Sequence, residues 1–330
     1  MNSKQLDSIF EQFNNKRILI VGDVMVDSYI IGKVDRVSPE APVPVVDVNR
    51  FENRLGGAGN VALNIKAMGA TPILCSVIGT DKEGDDLMSI MRSLDLSTAG
   101  LVQSDKRKTT TKTRVLGNNH QLLRIDHEIT NDLDVVDSFL LEQRFNEELE
   151  NIDVVIFEDY NKGVLHAKNI GILINLCSKK NIPTVVDPKK TNFLAYKEVT
   201  IFKPNLKEIK EGLKLESDLD DKESIESAIK LLKSSLNNTM TLVTLSERGV
   251  VIEDGINFHH IPAHIRNISD VSGAGDSVVS VAALCLSCNL KSPLIAEISN
   301  LAGGLVCEKT GVVPVDKSLL LAEAKRIVCH

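Results

Sequence analysis

The chain reads as an α/β protein, with a three-layer, mainly parallel sheet and a small β-sheet lid. Three observations predict this. Short β-branched runs alternate with longer amphipathic stretches along most of the sequence, the pattern of βαβ units. Runs such as Arg17-Ile-Leu-Ile-Val-Gly22 are apolar almost throughout, as strands buried on both faces are. Two segments, 28–50 and 109–127, break the alternation and are β-rich. Together they predict a separate small sheet, and a sheet projecting beside a ligand site most naturally serves as a lid.

In chain order, Leu6, Ile9, Phe10 and Phe13 fall at helical spacing and predict a short docking helix. The first strand is 17–22. A helix over 57–68 precedes a strand over 72–78, and 81–94 reads as helical. The arms around Gly117-Asn-Asn form a hairpin within 109–127. A strand over 153–157, a helix over 167–179 and a strand over 183–187 follow, then a helix over 223–236 and a strand over 240–245. Helices over 277–288, 293–308 and 317–327 close the chain. No repeat, low-complexity tract or long linker interrupts it, so 1–330 reads as one domain.

With 330 residues, 43% hydrophobic and 25% charged, the composition is that of a globular protein with a sizeable core. A formal net charge of −7 argues against a nucleic-acid surface, which is basic. Aromatics are 4%, with no Trp, so base-stacking platforms are scarce. The N-terminus lacks the basic lead and apolar core of a secretory signal, and the most apolar stretch, 278–288, is too short to span a bilayer. A cytoplasmic location without membrane contact is expected. The six cysteines are scattered and mostly lie in apolar runs, where they read as small buried hydrophobes.

The most informative motif is Asp270-Val-Ser-Gly-Ala-Gly-Asp276, which opens directly onto an apolar helix. A helix start leaves backbone N–H groups without partners, and the helix dipole adds positive charge there. Gly273, Ala274 and Gly275 therefore read as an anion hole suited to phosphate. Asp276 stands where it could take a proton from an attacking hydroxyl. Anion cradle plus base is what phosphoryl transfer to an alcohol requires. A glycine turn with Asp as a capping residue would carry the same letters.

Other constellations are weaker. Asp23 and Asp27 follow the first strand and could accept hydrogen bonds from sugar hydroxyls, or be a turn and a solvated carboxylate. Gly56-Gly-Ala-Gly-Asn60 allows close backbone approach to a ligand, with Asn60 able to bind a polyol; a structural turn reads equally well. It is neither a Walker A loop nor a dinucleotide fingerprint. Asn205 and Glu208 share a helix face and could hold Mg²⁺ through water, although a capping arrangement explains the same spacing. Thr244, Ser246 and Gly249 follow a strand end and suit a nucleotide's phosphates or ribose. Lys162 and Lys189 are cations at strand ends that could meet a phosphate.

Taken in order, Gly-Gly-Ala-Gly-Asn60, Asn205-x-x-Glu208 and Asp270-x-x-Gly-Ala-Gly-Asp276 resemble the ribokinase-like (PfkB) carbohydrate kinase family over essentially the whole chain. Within it, the runs Gly22–Asp27, Arg36–Val45, Thr113–Leu116, Gln121–Arg124, Asp159–Gly163 and Asp187–Lys189 resemble the branch that phosphorylates O1 of D-glycero-D-manno-heptose 7-phosphate. Ser38-Pro-Glu-Ala-Pro-Val-Pro-Val45 is the most telling of them. The resemblance implies ATP and Mg²⁺ as cofactors, leaves a monovalent cation open, and implies a sugar phosphate as acceptor. It implies Asp276 as base and residues 273–275 as the anion hole. Asn205 and Glu208 would organise Mg²⁺ and phosphates. Thr244, Ser246, Gly249 and Asn300 would face the nucleotide, and Asp27, Gly57, Asn60 and Lys189 the sugar phosphate. The lids are expected to pair in a homodimer. Bifunctional members carry a further nucleotidyltransferase domain, so the chain resembles a stand-alone kinase. It departs from the family at Ser28, Ile30, Glu158, Lys190 and Asn192, where a basic residue, an aromatic, Ser, Gly and Asp are expected. These positions flank the sugar side. Other acceptors remain open on the residues alone, namely another sugar, sugar phosphate or nucleoside, as does a non-catalytic sugar- or nucleotide-binding regulator.

Overall fold

A computed structural model describes every residue except Asn119, Ile265 and His330; the second Asn of the expected Gly-Asn-Asn turn thus lies outside the described residues. The chain opens with α1 (Ser3–Gln12), β1 (Arg17–Gly22), β2 (Val24–Val37), β3 (Pro44–Gly57) and α2 (Ala58–Ala67). It continues through β4 (Thr71–Gly79), α3 (Lys82–Ser93), β5 (Leu101–Ser104), β6 (Thr110–Gly117), β7 (His120–His127) and α4 (Val135–Glu148). Next come β8 (Val154–Glu158), α5 (Ala167–Lys179), β9 (Thr184–Asp187), β10 (Ile201–Phe202), α6 (Leu206–Gly212) and α7 (Lys222–Leu236). The last elements are β11 (Met240–Thr244), β12 (Val250–Glu253), β13 (Phe258–Ile261), α8 (Ala274–Ser287), α9 (Ser292–Cys307) and α10 (Lys317–Val328).

Nine strands form the main sheet in the order β13-β12-β11-β10-β9-β8-β1-β4-β5. It is parallel from β11 to β5, and β12 and β13 add an antiparallel edge. The period of two along β1 explains its fully apolar sequence. Ile18 and Ile20 pack into one core with α1, α2, α8 and α9, while Leu19 and Val21 pack into a second core with α4, α5 and α7. Each such side chain contributes about 1.5–3 kcal/mol by leaving water. Two cores on opposite faces are the three layers the sequence predicts. In such a sheet the C-terminal strand ends form the ligand-binding side.

The small sheet runs β3-β2-β6-β7. β2 pairs antiparallel with β3 and parallel with β6, and β6 and β7 form the expected hairpin. Its strands begin earlier than the expected segment 28–50. Val24, Met25 and Val26 are buried at the main body, and only the outer part of β2 and β3 projects. Phe51, Leu123 and Ile125 are exposed on this sheet. Sequence reading passes over α4, β5, β10, β12 and β13. α4 carries Val135, Val136 and Phe139 outward, which blurs its helical period. Among the described residues, no helix is long and apolar enough to cross a membrane, and all six cysteines are unpaired.

Candidate active site

Asp276 occupies the first turn of α8 and is buried, with 7% of its surface exposed. Gly273 caps the helix in the left-handed conformation, φ +79°, which glycine adopts without strain. The Ala274 amide donates to the Val271 carbonyl at 3.3 Å. Of the expected 273–275 trio, the Ala274 amide is thus engaged within the chain, whereas the amides of Gly275 and Asp276, in the first turn, have no intrahelical partner. A Cβ on Gly275 would lie 3.7 Å from both Asp187 Oδ2 and Lys203 Nζ. The glycine thus borders a charged recess.

Both oxygens of Asp276 are held. Asn60 Nδ2, from α2, donates to Oδ2 at 2.6 Å, and the Tyr160 hydroxyl donates to Oδ1 at 2.9 Å. Burial raises the Asp276 carboxyl to about 6, with the two hydrogen bonds opposing the rise. Glu158 and Asp187, the last residues of β8 and β9, bring their carboxylates within 4.8 Å of it. Two lysines answer this negative charge. Lys203 Nζ lies 2.9 Å from Asp187 Oδ2, and Lys189 Nζ lies 3.6 Å from Oδ1. Burial alone would raise Asp187; Lys189 and Lys203 outweigh it and hold the carboxyl below its ordinary value. Glu158 gets less relief: Lys189 and Lys203 lower it too, but by less than burial, Asp187 and Asp276 raise it. It is fully buried, neither oxygen has a hydrogen-bond partner among the described residues, and burial followed by Asp187 and Asp276 pushes it well above the usual range.

Beyond Asp276 opens a cavity of about 1000 Å³, large enough for a nucleotide. Gly275, Asp276, Asn205, Glu208, Thr244, Ser246, Gly249 and Asn300 all line it, so one wall gathers residues spread over 96 positions. Asn205 and Glu208 form a reciprocal capping box at the start of α6, each side chain bonded to the other's amide at 2.8 Å. Glu208 Oε1 also accepts from Lys189 Nζ at 2.9 Å. Direct ligation of a metal would break these bonds, whereas a hydrated Mg²⁺ fits the remaining lone pairs. Lys189 lines this same cavity, its ammonium 5.4 Å above the Tyr160 ring. Burial opposes its charge, but Asp187, Glu208 and Glu158 raise it above lysine's usual range.

The comparisons with known proteins agree with this geometry. Residues 15–317 match the model of the pfkB family carbohydrate kinases. The chain belongs to that family. It is 37% identical over 98% of its length to the bifunctional protein HldE of Citrifermentans bemidjiense, covering 66% of that protein. It is 36% identical over 90% of its length to HldE of Helicobacter pylori, covering 64%. The chain thus spans about two thirds of the length of these curated relatives. Escherichia coli phosphofructokinase-2 in complex with fructose-6-phosphate has the same fold, with TM-score 0.77, 20% identity, and 93% and 98% of the two chains covered.

On the small-sheet side of this pfkB kinase, Asp27 is buried and ion-paired with Arg114 of β6 at 2.6 Å. A Cβ on Gly56 would lie 2.3 Å from Asp27 Oδ2, so the glycine lets the carboxylate pack there. Gly57 caps α2 and presents Asn60 to Asp276. Asp23 is not free for sugar hydroxyls. Its carboxylate accepts from the amides of Tyr160, Lys162 and Val164. Lys162 pairs with Glu128 at 2.7 Å. Of the departures from the family, Ser28 and Ile30 lie on β2, and Lys190 makes a surface pair with Glu211 at 3.7 Å. Asn192 is buried and donates to the Leu165 carbonyl. Sequence reading missed Tyr160 and Lys203. A lysine right after the apolar Ile201-Phe202 is the signal that could have found Lys203.

Proposed function

We propose that this pfkB kinase transfers the terminal phosphoryl group of ATP to O1 of D-glycero-D-manno-heptose 7-phosphate, giving the 1,7-bisphosphate and ADP. The observation that carries the reading is Asp276, buried beside the free amides of a helix start and opening on a nucleotide-sized cavity. The narrower acceptor is supported by the runs around Ser38–Val45 and Asp159–Gly163 and by the similarity to the HldE proteins.

In this mechanism Asp276 takes the proton of the O1 hydroxyl as the oxygen attacks phosphorus. The amides of Gly275 and Asp276 face the charge that develops on the transferred group, aided by the α8 dipole. Lys189 and Lys203 supply fixed positive charge on the same wall. Asn205 and Glu208 would hold Mg²⁺ through water, and the ion would neutralise phosphate charge when bound. Thr244, Ser246, Gly249 and Asn300 position the nucleotide. Asp27 and Asn60 orient the sugar, and the lid excludes water.

The test is a panel of sugars and sugar phosphates incubated with ATP and Mg²⁺, with ADP release measured and the product located by phosphorus NMR. Turnover with heptose 7-phosphate far above that with unphosphorylated sugars is expected. Equal use of unphosphorylated sugars would leave a broader sugar kinase. The lids pair in a homodimer on this reading, because Phe51, Leu123 and Ile125 are exposed on a small sheet. Light scattering that shows a monomer at micromolar concentration rejects the pairing.

A further inference from the structure

The base is held by two donors from distant parts of the chain, and one buried residue anchors both. Asp23, 1% exposed, lies between β1 and β2. Its carboxylate Oδ2 accepts from the amide of Tyr160 at 2.8 Å and that of Lys162 at 3.0 Å, and Oδ1 accepts from the amide of Val164 at 3.1 Å. Its backbone carbonyl accepts from the amide of Ala58 at 3.0 Å, two residues before Asn60. Its own amide donates to the Glu158 carbonyl at 3.1 Å. The loop after β8 and the start of α2 are therefore fixed to one point. From that loop the Tyr160 hydroxyl reaches Asp276 Oδ1, and from α2 the Asn60 amide reaches Oδ2.

We propose that Tyr160 is a positioning residue for the base, fixing the carboxylate of Asp276 through its hydroxyl, and that Asp23 sets Tyr160 by binding the loop that carries it. The proposal rests on Asp276 being the base. A hydroxyl donating to one oxygen restrains rotation of the carboxylate and leaves its other lone pairs for the attacking alcohol. It also favours the ionised form, which alone can accept the proton. The bond matters more here because the carboxyl is buried among like charges. Asp187 and Glu158 face it from β9 and β8, opposed by Lys203 and Lys189. Burial raises the carboxyl and the Tyr160 bond lowers it. Without the hydroxyl, the carboxyl must titrate higher.

Tyr160→Phe removes the hydroxyl and keeps the ring under Lys189. Losing a hydrogen bond to a charged group should lower kcat about 10- to 100-fold at pH 7. The acid limb of kcat/KM should move up by about one pH unit, with KM for ATP within twofold and activity partly recovered at pH 9. Asp23→Asn replaces a carboxylate oxygen by a donor and should move kcat and the acid limb in the same direction, provided that its melting curve shows a folded protein. An unmoved acid limb in Tyr160→Phe overturns the proposal, whatever happens to kcat, because a merely structural ring would leave it in place. Asp276→Asn, assayed alongside, separates the two readings. If that variant keeps half or more of wild-type kcat, the base assignment itself has failed.

Discussion

Glu158→Gln should make the protein more stable, and the gain should grow with pH. Glu158 ends β8, between β1 and β9, with its side chain fully buried and both oxygens unpartnered among the described residues. Burial, then Asp187 and Asp276, raises its carboxyl well above the ordinary value near 4.5. A carboxyl raised by folding binds more protons in the folded state than in the unfolded state across the interval between the two values. Its contribution to stability is full below the unfolded value and falls as pH rises toward the folded one. The slope for one proton is about 1.4 kcal/mol per pH unit. Between pH 5.5 and 7.5 the wild type should therefore lose stability through this group, by at most about 3 kcal/mol over the two units. Glutamine keeps the shape, cannot titrate, and offers its amide to the neighbouring Asp187 and Asp276 oxygens. Asp23, Asp159 and Asp276 are also raised, but they are present in both proteins and largely cancel in the difference. Urea unfolding of both at pH 5.5 and 7.5 reads the effect. A stability gap that stays constant, or narrows, between the two pH values would refute the claim that burial and its acidic neighbours outweigh the lysines at Glu158.

Other expectations follow from the same wall of the cavity. Asp276→Asn should lower kcat about 10²- to 10⁴-fold without a change in melting temperature. In the wild type, kcat/KM should climb with pH through about 6 and level off above it, because burial sets the Asp276 carboxyl there and only its ionised form accepts a proton; a pH-independent kcat/KM between 5 and 8 counts against it. Gly275→Ala should fold normally, since the added Cβ meets Asp187 and Lys203 at an ordinary 3.7 Å, yet lose about tenfold or more in kcat/KM by intruding on the anion cradle; unchanged kinetics would remove the cradle from the mechanism. Lys189→Ala should raise KM for ATP about 10- to 150-fold, the worth of a charge-assisted contact, because Lys189 lines the cavity with Glu208 and Thr244; an increase confined to KM for the sugar phosphate would return Lys189 to the sugar side.

The layered fold was legible because burial on both faces writes itself into single strands. Arg17–Gly22 is apolar at every position from Ile18 to Val21, since successive side chains enter different cores. Elements that bury less wrote less. β10 is two residues long and is recognised only by its register with β9 and β11. α4 turns Leu141 and Phe145 inward but leaves Val135 and Phe139 exposed, so no clean apolar stripe marks it. The small sheet was legible as β-rich segments because prolines and a hairpin turn interrupt the alternation. Its true start at Val24 was not, because those first residues are as apolar as the strand before them.

The site divides in the same way, by whether a residue's partners are local. Asp276 could be read from its own heptapeptide, because a helix start, two glycines and a carboxylate are a local arrangement. Asn205 and Glu208 were legible as a pair, and the structure shows that their spacing serves a capping box as well as the cavity. That Tyr160, Glu158, Lys203 and Asn60 meet around Asp276 was not legible, although Asn60 stands out in its own glycine-rich run. They come from separate strand ends and a helix up to 216 positions away, and only the order β10-β9-β8-β1 brings most of them together. Glu158 shows the consequence. In sequence it is a departure from a small residue. In the fold it is an acid with no cation of its own, next to Asp187, which has two. The two lysines face Asp187 because β9 runs directly into Lys189 and β10 into Lys203, whereas β8 runs into Asp159 and Tyr160. The asymmetry of charge around Asp276 is thus a product of which residues follow which strands, and it leaves Asp276 as the carboxylate of the three whose two oxygens are held by neutral donors.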